Sequence, residues 1–215
     1  MGISEPIFRI CCDARVELKI GVILLSGGLD STTLAAYAKN RGYRLTAITL
    51  NYGQSHLKEI DAAKQVVDFL ELRHQVVDIS FFKQLAWYSS LTKPELFETP
   101  SDRNVDEMDG DIPITYVPLR NTFFISIAAA FLESEALSLI EQHGAEPAEL
   151  EASIFIAANA VDYSGYPDCR PEYIQSFANM ANLATKTGIE GKQSIKIQTP
   201  LINMTKKEII NSNEE

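Results

Sequence analysis

Short apolar runs and helical patterns alternate along the first part of the chain. The run Ile20–Leu25 is almost wholly apolar, which is typical of a strand buried on both faces of a parallel sheet. Arg44–Leu50 and His74–Ile79 are predicted as the second and third strands. Helices between these strands would require right-handed crossovers. The pattern therefore predicts an α/β fold, a doubly wound and mostly parallel sheet with helices on both faces.

Two helices are predicted between these strands. The first begins at Asp30, with Asp30 or Ser31 as a possible N-cap, and ends at Asn40-Arg41-Gly42. Apolar residues recur on one face of it: Leu34, Tyr37 and Ala38. The second helix has the same spacing of three and four: Leu57, Ile60, Ala63, Val67 and Leu70.

The middle of the chain is less regular. Residues 87–118 are rich in proline and acidic residues, which is typical of a lid, a binding loop or a mobile acidic loop. A long helix is predicted from about Asn121. We expect its buried face to contain Phe124, Ile127, Ala128 and Phe131.

Polar residues dominate Glu141–Ala152, so the long helix should fray or bulge there. Ser153–Ala158 is predicted as a further strand, followed by a loop over Asn159–Arg170. Pro171 suits the first turn of the next helix. Thr205 and Glu208 have the spacing of a capping box and predict a last helix.

Length and net charge limit the number of domains and the kinds of partner that we expect. The 215 residues predict one domain over residues 19–215, preceded by an N-terminal extension over residues 1–18. A net charge of −10 argues against a broad surface for nucleic acid. The longest mostly apolar run, Phe123–Leu132, is about half of a membrane span, and no secretory signal is visible. We expect a cytoplasmic protein with no direct nucleic-acid partner and no membrane partner.

The three cysteines do not form a recognisable framework. Cys11 and Cys12 are adjacent, and Cys169 is far away in sequence. Three cysteines are too few for a disulfide scaffold. Because the chain contains no CxxC pair, no closed zinc site is predicted within it.

The clearest chemical signal lies between the first strand and the first helix. Two glycines allow close approach of the backbone, the helix start offers unpaired N–H groups, and hydroxyls flank both. This combination predicts a phosphate site. It has neither the GxxxxGK[ST] nor the GxGxxG pattern, and a simple turn with a capped helix is the alternative. The candidate residues are Leu25, Ser26, Gly27, Gly28, Leu29, Asp30, Ser31, Thr32 and Thr33.

The segment SGGLDSTT resembles the pyrophosphatase loop of the PP-loop ATP pyrophosphatase superfamily. Four further segments resemble motifs of one family within it: Asn51–His56 with Glu59, Thr115–Asn121, Asn159–Glu172 and Gln198–Leu201. The most specific is DYSGYPDCRPE, within the third of these segments. On these motifs the chain, from about Lys19 to Ile210, is similar to the 7-cyano-7-deazaguanine synthase (QueC/ExsB) family of queuosine biosynthesis.

The resemblance implies an adenine nucleotide alpha hydrolase-like, Rossmann-like fold and an ATP-dependent carbon–nitrogen ligase. The implied substrates are 7-carboxy-7-deazaguanine, ammonia and ATP, with Mg²⁺ as cofactor. ATP would activate the carboxylate as an acyl-adenylate, ammonia would give an amide, and a second activation would give the nitrile. A homodimer is also plausible on this interpretation.

The resemblance also implies roles for individual residues. Asp30, Arg120 and His56 are the catalytic candidates, and Asn51 and Tyr52 would border the adenine. The candidates for binding the deazaguanine substrate are Gln54, Asn121, Asp162, Tyr166, Asp168, Cys169 and Arg170.

For several of these residues, a purely structural role stays open. Arg120 could form a surface ion pair, and His56 could be a polar cap. Tyr166 could be a packed core tyrosine, and Cys169 is expected to be a small, partly buried contact residue rather than a nucleophile.

The chain also departs from the family pattern. The family binds Zn²⁺ through four cysteines beyond the Gln198–Leu201 segment, and this chain ends before that region, so Zn²⁺ is expected from the family but its ligands are absent. Leu119 replaces a residue that is often small, and Glu141–Ala152 resembles an insertion. Two alternatives therefore stay open: another PP-loop adenylating enzyme (a tRNA thiolase, an amidotransferase or a deazaguanine-conjugating relative), or a truncated, inactive nucleotide-binding remnant.

Overall fold

A five-stranded parallel sheet forms the centre of the fold in the computed structural model, which describes residues 18–52, 57–97, 112–159 and 166–211. In chain order the strands are β1 (Leu18–Leu24), β2 (Arg44–Asn51), β3 (Arg73–Asp78), β4 (Leu150–Phe155) and β5 (Ile195–Gln198). Their spatial order is β3-β2-β1-β4-β5, and every neighbouring pair is parallel. The predicted doubly wound parallel sheet is confirmed.

Helices cover both faces of this sheet. Their bounds are α1 (Leu29–Asn40), α2 (Leu57–Leu70), α3 (Phe82–Leu85), α4 (Arg120–Leu137), α5 (Pro171–Ala184), α6 (Lys186–Ile189) and α7 (Lys206–Asn211). A π-helical turn, Ser138–Gln142, continues α4, and 3₁₀ turns occupy Pro147–Glu149 and Pro167–Cys169. The predicted bulge at the end of α4 corresponds to the π-helical turn.

Alternate side chains of β1 enter two different cores. Ile20 and Val22 pack with α4 and α5 on one face. Ile23, and Leu25 just beyond the strand, pack with α1, α2 and α7 on the other. All four side chains are at most 2% exposed. Burial on both faces explains why the strand reads as an unbroken apolar run rather than an alternating one.

The predicted buried face of α4 is right only at Ala128. Phe124, Ile127 and Phe131 are only half-buried, whereas the helix buries a set that includes small residues: Asn121, Ile125, Ala128, Ala129, Leu132 and Ala136. The helix is apolar on nearly all sides, so its period does not define a single face. The alanines let the helix lie close to β1 and β4, and the phenylalanines pack along its flank.

The helical stretch Arg120–Gln142 has the length and composition of a membrane span. It is longer than the apolar run that the sequence indicated. In this fold it packs against β1 and β4, with Ile125 and Ala128 fully buried. Its apolar character is therefore accounted for, at least in part, by its place in the core.

Four short elements differ from the sequence-based expectations. β4 begins at Leu150 rather than Ser153, so the end of the apparent insertion Glu141–Ala152 belongs to the sheet. The strand β5 and the helices α3 and α6 were not predicted. They contain only four residues each, which is too short to show a hydrophobic period.

The strand order fixes where a ligand can enter. The chain runs outward from β1 to β2 and β3, and then returns to the other side of β1 through β4. Such a reversal leaves a crevice outside the carboxyl ends of the strands. The loop after β1 and the segment after β4, residues 156–159, both lie at this crevice.

Candidate active site

A cavity of about 450 Å³ lies at the carboxyl ends of β1, β2 and β4. Eight of the residues predicted for the site line it: Leu25, Ser26, Ser31, Tyr52, Arg120, Asn121, Tyr166 and Cys169. Other lining residues were not singled out by sequence reasoning, chiefly Ile48, Thr49, Leu50, Leu91, Phe124 and the segment 156–159. These belong to strand ends and helix flanks, whose approach to the cavity depends on the tertiary fold.

Hydroxyl groups shape the loop that follows β1. The Ser26 and Ser31 hydroxyls are 3.1 Å apart, and the Ser26 amide donates to Ser31 Oγ at 3.3 Å. Ser31 Oγ donates in turn to the Gly28 carbonyl at 3.1 Å. These bonds bring both serines to the cavity wall, where they can meet a phosphate.

Gly27 is required by the packing of this loop. Its φ of +78° is a backbone conformation that side chains disfavour. A Cβ atom built there would lie 2.5 Å from the backbone nitrogen of Ala63 in α2. A Cβ at Gly28 would meet only Ser26 Oγ, at an ordinary 3.4 Å. The first glycine therefore lets the loop lie directly against α2.

A smaller cavity of about 360 Å³ lies beside the start of α1. It shares Ser26, Ser31 and the segment after β4 with the larger cavity, and Asp30 also lines it. Gly28 is the N-cap of α1, so the alternative of a helix capped by Asp30 or Ser31 does not hold. Because no side chain caps the helix, its first N–H groups can donate to an anion.

Thr32 and Thr33 are not among the residues that line the two cavities. The Thr32 hydroxyl donates to the Gly28 carbonyl at 2.8 Å, and Thr33 is buried. Leu29 and Gly28 line the smaller cavity. The loop residues that line the two cavities are therefore Leu25, Ser26 and Gly28–Ser31.

Glu59 and Arg120 are the charged side chains among the described residues that line the larger cavity. Arg120, the first residue of α4, hydrogen-bonds Tyr52 from the end of β2. Burial raises the pKa of the Tyr52 phenol, and the Arg120 guanidinium opposes this rise. Glu59 lies near enough to Tyr52 to raise that pKa further. Among the described residues, Arg120 and Glu59 thus act in opposite directions on the Tyr52 phenol, and Arg120 is the one that hydrogen-bonds it.

The start of α4 is tied to the 3₁₀ turn 167–169. Asp168 Oδ2 accepts the backbone N–H of Asn121 at 2.9 Å, and Asn121 Nδ2 donates to the Asp168 carbonyl at 3.2 Å and to Cys169 Sγ at 3.2 Å. Burial raises the pKa of Asp168 and raises that of the Cys169 thiol to about 11. Asp168 is buried and holds the backbone of α4, whereas Asn121 and Cys169 line the cavity.

The other predicted residues differ in their placement. The hydroxyls of Tyr166 and Thr115 are 2.7 Å apart, which joins two of the motif segments. Arg170 is exposed and is the N-cap of α5. Asn51 donates to Asp78 at the neighbouring strand end. Neither Arg170 nor Asn51 is among the residues lining the cavity. Gln54, His56 and Asp162 lie outside the described residues.

The described residues fit magnesium better than zinc. No group of three or more His, Cys, Asp or Glu side chains that could hold a metal ion occurs in the described part of the chain. Cys169 is buried with a protonated thiol, and Cys11 and Cys12 lie outside the described residues. Mg²⁺, by contrast, is commonly bound by one or two carboxylates together with substrate phosphates. Asp30 beside the phosphate loop suits that arrangement.

Comparison with known proteins agrees with this geometry. A family model described as "Queuosine biosynthesis protein QueC" matches residues 20–215. The chain belongs to this family. The 7-cyano-7-deazaguanine synthase of Desulfatibacillum aliphaticivorans is 47% identical over 199 residues, which cover 91% of this chain and 76% of that protein. The enzyme of the same name from Coxiella burnetii (strain RSA 331 / Henzerling II) is 48% identical over 197 residues, 90% of this chain and 76% of that protein.

A solved structure from Methanocaldococcus jannaschii also matches this QueC family member. It is described as a predicted subunit of tRNA methyltransferase, and it aligns with a TM-score of 0.51 over 92% of this chain and 75% of that chain. The sequence identity is 17%, so the likeness concerns the fold alone. It agrees with the parallel α/β architecture described above.

Proposed function

We propose that this QueC family member synthesises 7-cyano-7-deazaguanine from 7-carboxy-7-deazaguanine, ammonia and ATP. The observation that carries the proposal is the phosphate loop at the switch point of the sheet, opening into a cavity that Arg120 and Glu59 line. Relatives of this name, 43–48% identical over about nine-tenths of the chain, support the choice of substrate.

The first step makes the carboxylate reactive. A carboxylate oxygen of 7-carboxy-7-deazaguanine attacks the α-phosphorus of ATP, and the bond to the β-phosphate breaks. Pyrophosphate leaves, and the other product is an acyl-adenylate. Ser26, Ser31 and the first N–H groups of α1 hold the phosphates. The planar guanidinium of Arg120 binds the carboxylate or the α-phosphate in a bidentate contact. Mg²⁺, held by Asp30 and the phosphates, would help to neutralise the charge that develops.

The second step forms the carbon–nitrogen bond. Ammonia attacks the acyl carbon, AMP leaves, and one proton is lost from nitrogen to give the amide. Glu59 lines the same cavity and is placed to take that proton. The amide oxygen then attacks the α-phosphorus of a second ATP and pyrophosphate leaves. Loss of AMP and of the two remaining protons on nitrogen gives the nitrile.

The remaining residues are proposed to position the base and the adenine. Tyr52 would border the adenine, while Tyr166, Asn121 and Cys169 would contact the deazaguanine. We keep Asn51, Gln54, Asp162, Asp168 and Arg170 as substrate or nucleotide contacts, and His56 as an acid or base, as proposals that rest on the family motifs alone. Asp168 would act mainly through the backbone N–H of Asn121, whose hydrogen bond it accepts.

The wider organisation of the protein is also part of the proposal. Residues 19–215 would form one ATP-binding synthase domain after an N-terminal extension, acting in the cytoplasm where ATP is available, with a homodimer as the assembly. Zinc has no ligand set among the described residues, and no step depends on it.

The test is a reaction with ATP, Mg²⁺, ammonium and 7-carboxy-7-deazaguanine, followed by mass spectrometry for AMP and the nitrile. We expect two AMP per nitrile, both dependent on the carboxylated base. Asp30→Asn should greatly lower AMP formation, because it removes the carboxylate beside the phosphate loop. AMP with amide alone would limit the function to the first half of the reaction, and no base-dependent AMP would contradict the proposal.

A further inference from the structure

The start of the phosphate loop is anchored by the neighbouring strand β2. The register of β1 and β2 ends with the pair Leu24 and Ile48. The next residue, Leu25, still donates its amide to the Ile48 carbonyl at 2.9 Å. The Leu25 carbonyl accepts a hydrogen bond from Thr49 Oγ1, also at 2.9 Å. Both backbone groups of the residue before Ser26 are therefore held by β2.

A histidine on the edge strand β3 completes this anchor. His74 Nε2 lies 2.8 Å from Thr49 Oγ1. Because a carbonyl can only accept a hydrogen bond, the Thr49 hydroxyl donates its single proton to Leu25, and His74 must donate its Nε2–H to the Thr49 oxygen. The hydrogen bonds thus run in one direction, from His74 in β3 through Thr49 in β2 to the carbonyl at the end of β1.

The two polar residues of this relay stand at different distances from the ligand. Thr49 is 2% exposed and lines the larger cavity beside Leu25 and Ser26. His74 is not among the described residues that line either cavity. Any effect of His74 on a bound nucleotide should therefore pass through Thr49.

We propose that Thr49 and His74 are positioning residues, which hold the Leu25 carbonyl so that the loop after β1 faces the phosphates of a nucleoside triphosphate. Ser26 follows Leu25 directly, and its amide and hydroxyl both bond to the Ser31 hydroxyl. A shift of the Leu25 carbonyl would therefore move the phosphate contacts. The inference rests on the use of ATP in the proposed function, but not on the identity of the acid that is activated.

Binding titrations on the full chain test the role of Thr49. Thr49→Val removes the hydroxyl and keeps a branched side chain of similar size. The probes are MgATP and adenosine, measured by calorimetry. We expect MgATP to bind about tenfold more weakly and the affinity for adenosine to stay the same, because adenosine has no phosphate. Thr49→Ser keeps the hydroxyl and should recover most of the affinity for MgATP.

Thr46→Val is the matched control on the same strand. Thr46 is 1% exposed, and its hydroxyl has no hydrogen-bond partner among the described residues. It is not among the described residues that line either cavity. This variant makes the same chemical change and should bind MgATP like the wild type. A thermal unfolding curve checks that each variant is folded.

Variants of the histidine test the relay itself. His74→Phe removes the donor and should weaken MgATP by about threefold to tenfold, whereas His74→Gln keeps an N–H donor and should recover part of that loss. Because His74 acts through Thr49, the double variant Thr49→Val/His74→Phe should bind MgATP as Thr49→Val does. Additive losses would overturn the relay.

The remaining outcomes separate this inference from the proposed function. Wild-type affinity for MgATP in Thr49→Val would overturn the inference, and so would an equal loss for adenosine, which would make Thr49 a direct contact of the nucleoside. If Thr49→Val loses affinity for MgATP as expected but the wild type makes no nitrile, the inference stands and the proposed function fails. If the wild type makes the nitrile and Thr49→Val binds MgATP normally, the proposed function stands and the inference fails.

Discussion

The two ends of the active-site cavity are built in different ways. At the phosphate end the strand, loop and helix are contiguous, and Ser26 and Ser31 bond to partners no more than five positions away. At the substrate end the start of α4 is held by Asp168 and Cys169, which are 47 and 48 positions from Asn121. One end is therefore a local structure, and the other is assembled only when distant segments meet.

This difference has consequences for stability and for function. The geometry of the local loop depends on its backbone, so most side-chain changes there should affect ligand binding more than folding. The assembled end uses buried side-chain hydrogen bonds to join α4 to the 3₁₀ turn, so changes there should affect both. Variants with matched controls can separate the two cases.

The largest expected effect is at Arg120, which lines the cavity at the start of α4. Arg120→Lys keeps the charge but loses the planar fork, so kcat/KM for the carboxylated base should fall by about 10² or more. The matched control is Arg41→Lys, because Arg41 is exposed at the end of α1 and lines neither cavity. Steady-state kinetics should show less than a threefold change for this control. An equal loss in both variants would contradict the proposed role of Arg120.

Gly27→Ala lies in the local loop but is expected to affect folding as well as ligand binding. The new Cβ would clash with the backbone of α2 and would hold a positive φ, so we expect the free energy of unfolding to fall by about 2–4 kcal/mol. ATP affinity should be lost with it. Denaturant unfolding and ATP titration are the measurements.

The neighbouring glycine provides the control for that experiment. Gly28→Ala meets only ordinary contacts at a φ of −76°, so its stability should change by no more than about 1 kcal/mol. If both alanine variants were equally destabilised, the close approach of α2 would not be the cause.

A smaller effect is expected at Asn121 in the assembled end. Asn121→Ala removes two buried hydrogen bonds, to the Asp168 carbonyl and to Cys169 Sγ, and should cost about 1–3 kcal/mol in the free energy of unfolding. KM for the base should rise while ATP affinity stays the same. Ser126→Ala lies on the exposed side of the same helix and should cost less than about 0.5 kcal/mol. An equal loss of stability in both variants would contradict the proposed tie.

The same contrast explains how much of the fold the sequence predicts. The order from β1 to β3 follows from apolar runs bounded by turn residues, and the observed bounds agree to within two residues. β5 is a strand because it pairs with β4. A four-residue segment is too short for this pairing to be predicted from its sequence. The face of α4 depends on which small residues meet the sheet, and a nearly all-apolar helix gives no local sign of that choice.

The residues of the candidate site divide in a similar way, into those predicted from local sequence and those that depend on distant segments. The loop after β1 can be recognised from a short stretch of sequence, because glycines, hydroxyls and a helix start occur in one segment. Arg120, Asn121 and Cys169 are found through family motifs, and the structure brings them together at one cavity.

The smallest expected effect concerns Cys169, which tests whether the assembled end contributes shape or reactivity. Burial raises its pKa from 9.0 to about 11, so at pH 9 only about 1% should be thiolate in the native protein. Iodoacetamide labelling, mapped to the Cys169 peptide by mass spectrometry, should be about 50-fold slower in native than in denatured protein. The unfolded chain loses this proton first, so its contribution to stability falls as the pH rises from 9 towards 11.

Cys169→Ser should retain activity within about threefold, because serine can still accept the hydrogen bond from Asn121. Fast labelling of the native thiol together with loss of nitrile formation would make Cys169 a nucleophile. In that case the substrate end would supply chemistry of its own. A slow thiol and an active serine variant would instead assign the activation of the substrate to the phosphate end and Arg120, with Cys169 serving to hold Asn121 against the cavity.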